Sequence, residues 1–219
     1  MASPANAIEF HFDFSCPYAY LASLQLDAIE VRTSRPIALR PFLLGGVFAA
    51  IGQAQNLTAT LSPAKQRHNR ADLLRQAAWI GARLQTPGRH PNRTVDALRT
   101  LLVCPIAMQR QLMASFFAAY WQDGADLSDP TERTTRMLAL GLPAADLNAA
   151  AEGEDARKAL RDATDAALAA GIFGAPAFVV DGALYWGADR VEMVVHAARS
   201  GWQPLALAEG FQFGAENTR

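Results

Sequence analysis

The chain has 219 residues and a mass of 23.6 kDa, and 51% of its residues are hydrophobic while 19% are charged. This composition predicts a globular protein that is large enough to bury a substantial core. The formal net charge of −1 and the pI near 6.4 provide no field that would attract nucleic acid or an anionic membrane, so neither is an expected partner. The start of the chain lacks the pattern of a signal peptide, and the two cysteines do not suggest a disulfide framework, which together predict a cytoplasmic protein.

The first predicted elements are a strand, a turn and a helix. Phenylalanines alternate with His11 and Asp13 along residues 8–14, and this period of two predicts a strand. Pro17 suits the first turn of a helix, and an apolar stripe at helical spacing continues from there to Val31. The chain is therefore predicted to begin with a strand that leads directly into a helix.

A second predicted strand is followed by a long helical region. Residues 37–43 form the second β-prone run, and Pro41 within it indicates an edge strand or a bulge. From Pro63 to about Gly171 the sequence is rich in Ala, Leu, Arg and Gln at helical spacing and contains no convincing strand. The middle of the chain is therefore expected to be a bundle of several helices.

The pattern changes again after Gly171. Two short β-prone runs, at residues 177–180 and 183–186, are separated by Asp181 and Gly182, and Asp-Gly in this position is a strong hairpin signal. A final helix is predicted from about residue 189 to residue 199. The order of elements is thus β-α-β, then helices, then β-β-α.

Cys16 lies in the turn between the first strand and the first helix. It is followed by Pro17, Tyr18 and Ala19, so the turn resembles the active-site turn of thioredoxins with alanine in place of the second cysteine. One sulfur can form only mixed disulfides or position a thiol that another molecule supplies. Because a helix N-terminus favours thiolate, the pKa of this thiol is expected below the roughly 8.5 of free cysteine. Cys104, in an apolar helical run, is expected to be a core residue.

A second segment of interest is Ala175-Pro176, directly before the predicted hairpin. In a chain with this opening, it suggests a cis-proline loop that faces the cysteine. The backbone of Ala175 would then be free to pair with an extended peptide, as an added strand does. A peptide-like thiol such as glutathione would fit there. The four histidines have no metal-ligand spacing, and no metal site is predicted.

Several blocks of the sequence resemble one family closely. Residues 12–21, 40–46 and 171–190 look like the signature blocks of 2-hydroxychromene-2-carboxylate isomerases, which belong with the kappa-class glutathione transferases in the DsbA-like branch of the thioredoxin superfamily. Residues 65–81 and 90–94 are also similar to the middle region of that family. The blocks occur in the order of the family and span roughly residues 8–200.

The resemblance implies an α/β protein with a thioredoxin-like fold and a large all-helical insertion domain, as in DsbA. The thioredoxin-like domain would comprise residues 1–60 and 171–219, and the insertion residues 61–170. The family is usually homodimeric and binds glutathione between the two domains. The implied function is glutathione-dependent cis-trans isomerisation of 2-hydroxychromene-2-carboxylate, a small aromatic substrate, in aromatic compound catabolism.

The same resemblance assigns site residues. Residue 16, here Cys16, would stabilise the glutathione thiolate as the catalytic group. The other implied contacts to glutathione are Lys65 with a carboxylate, the backbone at Ala175 and Pro176, Ala188 with Asp189 at the γ-glutamyl end, and Asn56 as the nearest substitute for a family asparagine.

This chain departs from the family pattern at two places, and these leave alternatives open. The family usually has serine where this chain has Cys16, and its Gly-Asn pair is replaced by Gly52-Gln53 with a short insertion before Pro63. One alternative is a kappa-class-like glutathione transferase or a DsbA-like monothiol disulfide oxidoreductase that uses Cys16 directly. A second alternative is a non-catalytic module that binds thiol peptides.

Overall fold

The computed structural model of the protein describes residues 6–55 and 57–201. Its one sheet within those residues has four strands in the order β2-β1-β3-β4. The strands are β1 (Ile8–Phe12), β2 (Ile37–Pro41), β3 (Ala177–Val180) and β4 (Ala183–Trp186). β1 pairs with β2 in parallel, whereas β3 pairs antiparallel with both β1 and β4. β2 therefore lies at the edge of the sheet, which is the position that Pro41 predicted.

Ten α-helices accompany this sheet in the described residues. In chain order they are α1 (Pro17–Ser23), α2 (Leu26–Thr33), α3 (Leu44–Ala50), α4 (Pro63–Trp79), α5 (Val95–Val103), α6 (Ile106–Trp121), α7 (Pro130–Ala139), α8 (Ala144–Glu152), α9 (Glu154–Ala169) and α10 (Val191–Ser200). Seven of them, α3 to α9, lie between β2 and β3 in the sequence, and six of these, α4 to α9, form the stretch that starts at Pro63. The predicted helical middle of the chain is confirmed. None of the helices in the described ranges is long and apolar enough to span a membrane.

The first predicted strand ends two residues earlier than its period of two indicated. Both the N–H and the hydroxyl of Ser15 donate to Asp13 Oδ1, at 2.9 and 3.0 Å, and this local turn ends β1 after Phe12. The predicted hairpin is confirmed, since Asp181 and Gly182 have φ values of 49° and 85°. Positive φ at both central residues is what a tight hairpin with the natural strand twist requires.

One main hydrophobic cluster joins the sheet to the helical region. Phe12 and Phe14, both fully buried, contact Phe117 of α6 at ring-centroid distances of 5.6 and 4.9 Å. Leu101 of α5 and Cys104 belong to the same cluster, which confirms Cys104 as a core residue. The cluster therefore fixes α5 and α6 against the face of β1 that carries the phenylalanines. The domain boundaries near residues 60 and 171 stay a prediction.

Candidate active site

The turn after β1 places Cys16 at the N-terminus of α1. The Cys16 N–H donates to Asp13 O at 3.1 Å, and Pro17 is the first residue of the helix. The Cys16 side chain is only 7% exposed. Its Sγ donates a hydrogen bond to the carbonyl oxygen of Ala175, at 3.0 Å. Two segments that are 159 residues apart in the sequence thus meet at the sulfur.

The segment that faces Cys16 contains a cis peptide bond between Ala175 and Pro176. The predicted cis-proline loop is thereby confirmed. Pro176 O accepts a hydrogen bond from Gly187 N at 3.0 Å, which ties the loop to the turn that follows β4. The N–H of Ala175 has no hydrogen-bond partner among the described residues, so it is available to pair with an extended peptide.

The prediction that the pKa of Cys16 lies below that of free cysteine is wrong. Burial raises the pKa of the Cys16 thiol to about 12, and the nearby carboxylate of Asp13 raises it further. The backbone amides of Ala19 and Tyr18 at the start of α1 act in the opposite direction, but they are outweighed by the loss of solvation. The sulfur is therefore a protonated hydrogen-bond donor at neutral pH.

Asp13 is a functional candidate to which the sequence analysis gave no role. Its carboxylate is 1% exposed and accepts four hydrogen bonds from three parts of the chain. The donors are the N–H and hydroxyl of Ser15, the N–H of Leu44 at 2.9 Å and the hydroxyl of Thr94 at 2.7 Å. Burial raises the pKa of Asp13, whereas these four donors lower it. The signal in the sequence was a carboxylate inside an apolar, phenylalanine-rich strand.

These hydrogen bonds shape a cavity on one side of the Cys16 turn. The cavity, about 520 Å³ in volume, is called the Ser15 cavity below. Its lining residues are Asp13, Ser15, Leu43, Leu44, Gly45, Gly46, Phe48, Gln55, Pro91, Asn92, Arg93, Thr94 and Val95. The starts of α3 and α5 form its walls, and Leu44 and Thr94 at those starts both bond to Asp13. The carboxylate therefore holds the cavity walls together.

A second cavity lies among α1, α4 and the start of α10. It has a volume of about 430 Å³ and is called the Asp189 cavity below. Its lining residues are Leu21, Gln25, Arg75, Gln76, Trp79, Ile80, Ala188, Asp189, Val191 and Glu192. Burial raises the pKa of the nearby Tyr18 hydroxyl, and the charges of Asp72, Cys16 and Asp189 raise it further. The cavity thus offers a cation, Arg75, and two carboxylates, Asp189 and Glu192.

The predicted site residues fall into three groups. Cys16, Ala175 and Pro176 come together at the turn, and Ala188 with Asp189 lines the neighbouring cavity. Lys65 is exposed in the first turn of α4, about 15 Å along the helix axis from Arg75, and lines neither cavity in the described structure. Asn56 lies outside the described residues. Among the residues that are described, no cluster of three or more His, Cys, Asp or Glu side chains could hold a metal ion.

Comparisons with known proteins identify the family and the fold of the chain. The sequence model of the DSBA-like thioredoxin domain matches residues 7–199. A 2-hydroxychromene-2-carboxylate isomerase from Sphingobium xenophagum is 30% identical over 192 residues, which cover 86% of this chain and 96% of that protein. A solved structure of a 2-hydroxychromene-2-carboxylate isomerase superimposes with a TM-score of 0.79 at 23% identity, over 87% of this chain and 93% of that one.

A third similarity is to the cytosolic disulfide reductase DsbM from Pseudomonas aeruginosa, solved with GSH. Its TM-score is 0.61 at 18% identity, and the match covers 89% of this chain and 96% of that chain. The fold is therefore that of the thioredoxin-like α/β proteins with a helical insertion. The chain belongs to the family of DSBA-like thioredoxin domains, and within it is related to the 2-hydroxychromene-2-carboxylate isomerases.

Proposed function

We propose that the protein is a glutathione-dependent cis-trans isomerase of the 2-hydroxychromene-2-carboxylate type, acting in the breakdown of aromatic compounds. The 30% identical relative from Sphingobium xenophagum, which carries that name, supports the substrate class. The DsbM structure solved with GSH supports glutathione as a ligand of this fold. The predicted cytoplasmic location agrees with both, because glutathione keeps that compartment reducing.

The observation that carries the proposal is the arrangement around Cys16. A protonated thiol donates to Ala175 O at 3.0 Å, and the residue three positions after it is Ala19 rather than a second cysteine. A disulfide exchanger of the dithiol kind needs two sulfurs at this turn. A single buried donor beside a cis-proline loop is suited instead to holding the sulfur of a bound thiol peptide.

The chain offers a set of groups that fit glutathione. The free N–H of Ala175 would pair with the cysteinyl unit, and Asp189 would accept hydrogen bonds from the ammonium group at the γ-glutamyl end. When bound, glutathione supplies the nucleophilic sulfur for reversible addition to the substrate. Cys16 would donate its S–H to that sulfur in place of Ala175 O, and the buried turn would exclude water from it.

The alternative of direct chemistry at Cys16 is less well supported. Burial raises the pKa of Cys16 to about 12, so the thiol rather than the thiolate is the form expected at pH 7. Disulfide exchange and nucleophilic attack both require the thiolate. The protonated state of Cys16 thus favours the isomerase over the monothiol oxidoreductase.

The experiment that tests the proposal follows the absorbance of 2-hydroxychromene-2-carboxylate with the purified protein. We expect saturable acceleration with glutathione, and none with S-methylglutathione, which has the same backbone but no free thiol. Equal rates with and without glutathione would overturn the proposal. Thiol-dependent binding in calorimetry without turnover would instead indicate the non-catalytic binding module.

The homodimer and the small aromatic substrate remain predictions. Light scattering at several protein concentrations measures the mass directly, and a mass near twice 23.6 kDa is the expected result. A concentration-independent mass of one chain would show that the prediction is wrong.

A further inference from the structure

A third cavity lies beside the Ser15 cavity, among α3, α5 and α9. Its volume is about 510 Å³, and we call it the arginine cavity because Arg93, Arg99, Arg157 and Arg161 line it. Four arginine residues, from the segment before α5, from α5 and from α9, thus line one space. The arginine cavity shares part of its wall with the Ser15 cavity, namely Leu43, Gly46, Arg93 and Val95.

Two of these arginines share one carboxylate. Asp96 accepts from Arg93 at 2.9 Å and lies 3.7 Å from Arg99. Arg99 is the most buried of the four, with a side chain that is 19% exposed, and its Nε is buried without a hydrogen-bond partner in the described structure. One carboxylate thus leaves most of the donors of these two guanidinium groups unpaired, since each carries five N–H bonds.

The other two arginines, both on α9, also share one carboxylate. Glu154 accepts from Arg161 at 2.6 Å and lies 3.7 Å from Arg157. Asp165 is the one acidic residue in the lining of the cavity. The four arginines therefore face three carboxylates in all, which leaves an excess of one positive charge and many free donors.

The remaining walls of the cavity are mostly apolar, and the hydroxyl of Thr164 among them already accepts from Leu43 N and donates to Leu160 O. The apolar part is formed by Leu43, Ala50, Val95, Leu160 and Leu168. Guanidinium groups match the geometry of a carboxylate and also stack on aromatic rings, whereas apolar walls favour a hydrocarbon body. A ligand with both features is an aromatic or alicyclic carboxylic acid, and a fully hydrated inorganic anion would leave the apolar walls without contacts.

We propose that the arginine cavity binds a small organic carboxylate at a site separate from Cys16. Arg99, Arg157 and Arg161 pair with its carboxylate, and the side chains of Leu43, Leu160 and Leu168 contact its ring. Neither Cys16 nor glutathione takes part, so a test of this site does not depend on whether the protein is the proposed isomerase.

Isothermal calorimetry with phthalate, without glutathione, tests this site. We expect saturable binding that falls about tenfold or more in a double variant, Arg157→Gln with Arg161→Gln, because charge-assisted hydrogen bonds are lost. Both side chains are largely exposed, so the variant should fold, and its circular dichroism spectrum and melting temperature would verify this. Lys158→Gln is the matched control, because Lys158 lies on the same helix, pairs with Asp162 and does not line the cavity.

Four results would overturn the proposal, and the fourth comes from the wild-type protein alone. The first is unchanged phthalate affinity in the double variant, and the second is equal weakening in Lys158→Gln. The third is binding of inorganic phosphate as tight as that of phthalate, which would mean that the apolar walls contribute nothing. If the double variant does not fold, the wild-type protein still provides a test, because binding through guanidinium groups must weaken as the salt concentration rises. Salt-independent binding would contradict it.

Discussion

The two cavities that flank the Cys16 turn are built in opposite ways. The Ser15 cavity surrounds a buried carboxylate, Asp13, whose hydrogen bonds reach three separate segments. The Asp189 cavity is lined by charged side chains near the surface and by Trp79, which is 90% exposed. One side is thus held by internal hydrogen bonds, whereas the other presents groups that a ligand can contact.

This difference suggests a division of roles. Side chains that already satisfy one another keep the turn and its neighbouring helices in place and have little capacity left for a ligand. Exposed charges and an exposed indole lose solvent when a polar, flexible tripeptide binds. We therefore expect substitutions on the Asp13 side to change stability and substitutions of the charged residues on the Asp189 side to change glutathione binding.

The largest expected effect is that of Asp13→Ala. This substitution leaves the buried hydroxyl of Thr94 and the partly buried donors of Ser15 and Leu44 without their acceptor, and it should lower the free energy of unfolding by about 3 kcal/mol or more. Urea denaturation measures the change. The matched control is Asp27→Ala, because Asp27 has a side chain that is 91% exposed and pairs with Arg110 at the surface, where the cost should be under about 1 kcal/mol. Similar losses in both variants would show that the hydrogen bonds of Asp13 contribute no more to stability than a surface ion pair does.

The second effect is a dependence of stability on alkaline pH. Burial raises the pKa of Cys16 from 9.0 to about 12 in the folded protein, so between these values the unfolded chain loses a proton that the folded chain keeps. The contribution of Cys16 to the free energy of unfolding is fully present below about pH 9. It falls as the pH rises, by at most about 1.4 kcal/mol per pH unit. Urea denaturation of the wild type and of Cys16→Ser between pH 8 and pH 11 should show the steeper decline in the wild type. Parallel profiles would contradict the raised pKa.

The smallest expected effect is spectroscopic. Trp79 is exposed in the Asp189 cavity, so bound glutathione should partly cover its indole and shift its fluorescence emission to shorter wavelength. The shift should disappear in Trp79→Phe, while glutathione affinity measured by calorimetry changes little. An identical shift in Trp79→Phe would place the ligand elsewhere, for example near Trp186, which contacts Phe173 beside the cis-proline loop.

The parts of the fold that follow from local patterns were predictable. Alternating phenylalanines indicated β1, Asp181-Gly182 indicated the hairpin, and the Ala-rich middle indicated the helices, because each signal lies within a few residues. The cis peptide bond at Ala175-Pro176 was also expected, but only through the resemblance of the turn at Cys16 to thioredoxins.

The features that depend on packing between distant segments were not predictable. The partners of Asp13 include residues 44 and 94, and no local pattern connects those positions. The acidity of Cys16 was misjudged because the helix N-terminus is visible in the sequence while the burial of the sulfur is not. The convergence of Arg99 with Arg161 likewise appears only when α5 and α9 are packed together.

In the proposed function, Cys16 acts by donating a hydrogen bond to the sulfur of glutathione. The most direct measurement is the glutathione-dependent rate with 2-hydroxychromene-2-carboxylate for Cys16→Ser and Cys16→Ala. A hydroxyl can replace the thiol as a donor, so Cys16→Ser should keep its rate within about tenfold of the wild type, whereas Cys16→Ala should lose about 100-fold or more. An equal loss in both variants would contradict the claim and would identify the sulfur of Cys16 as the reacting group.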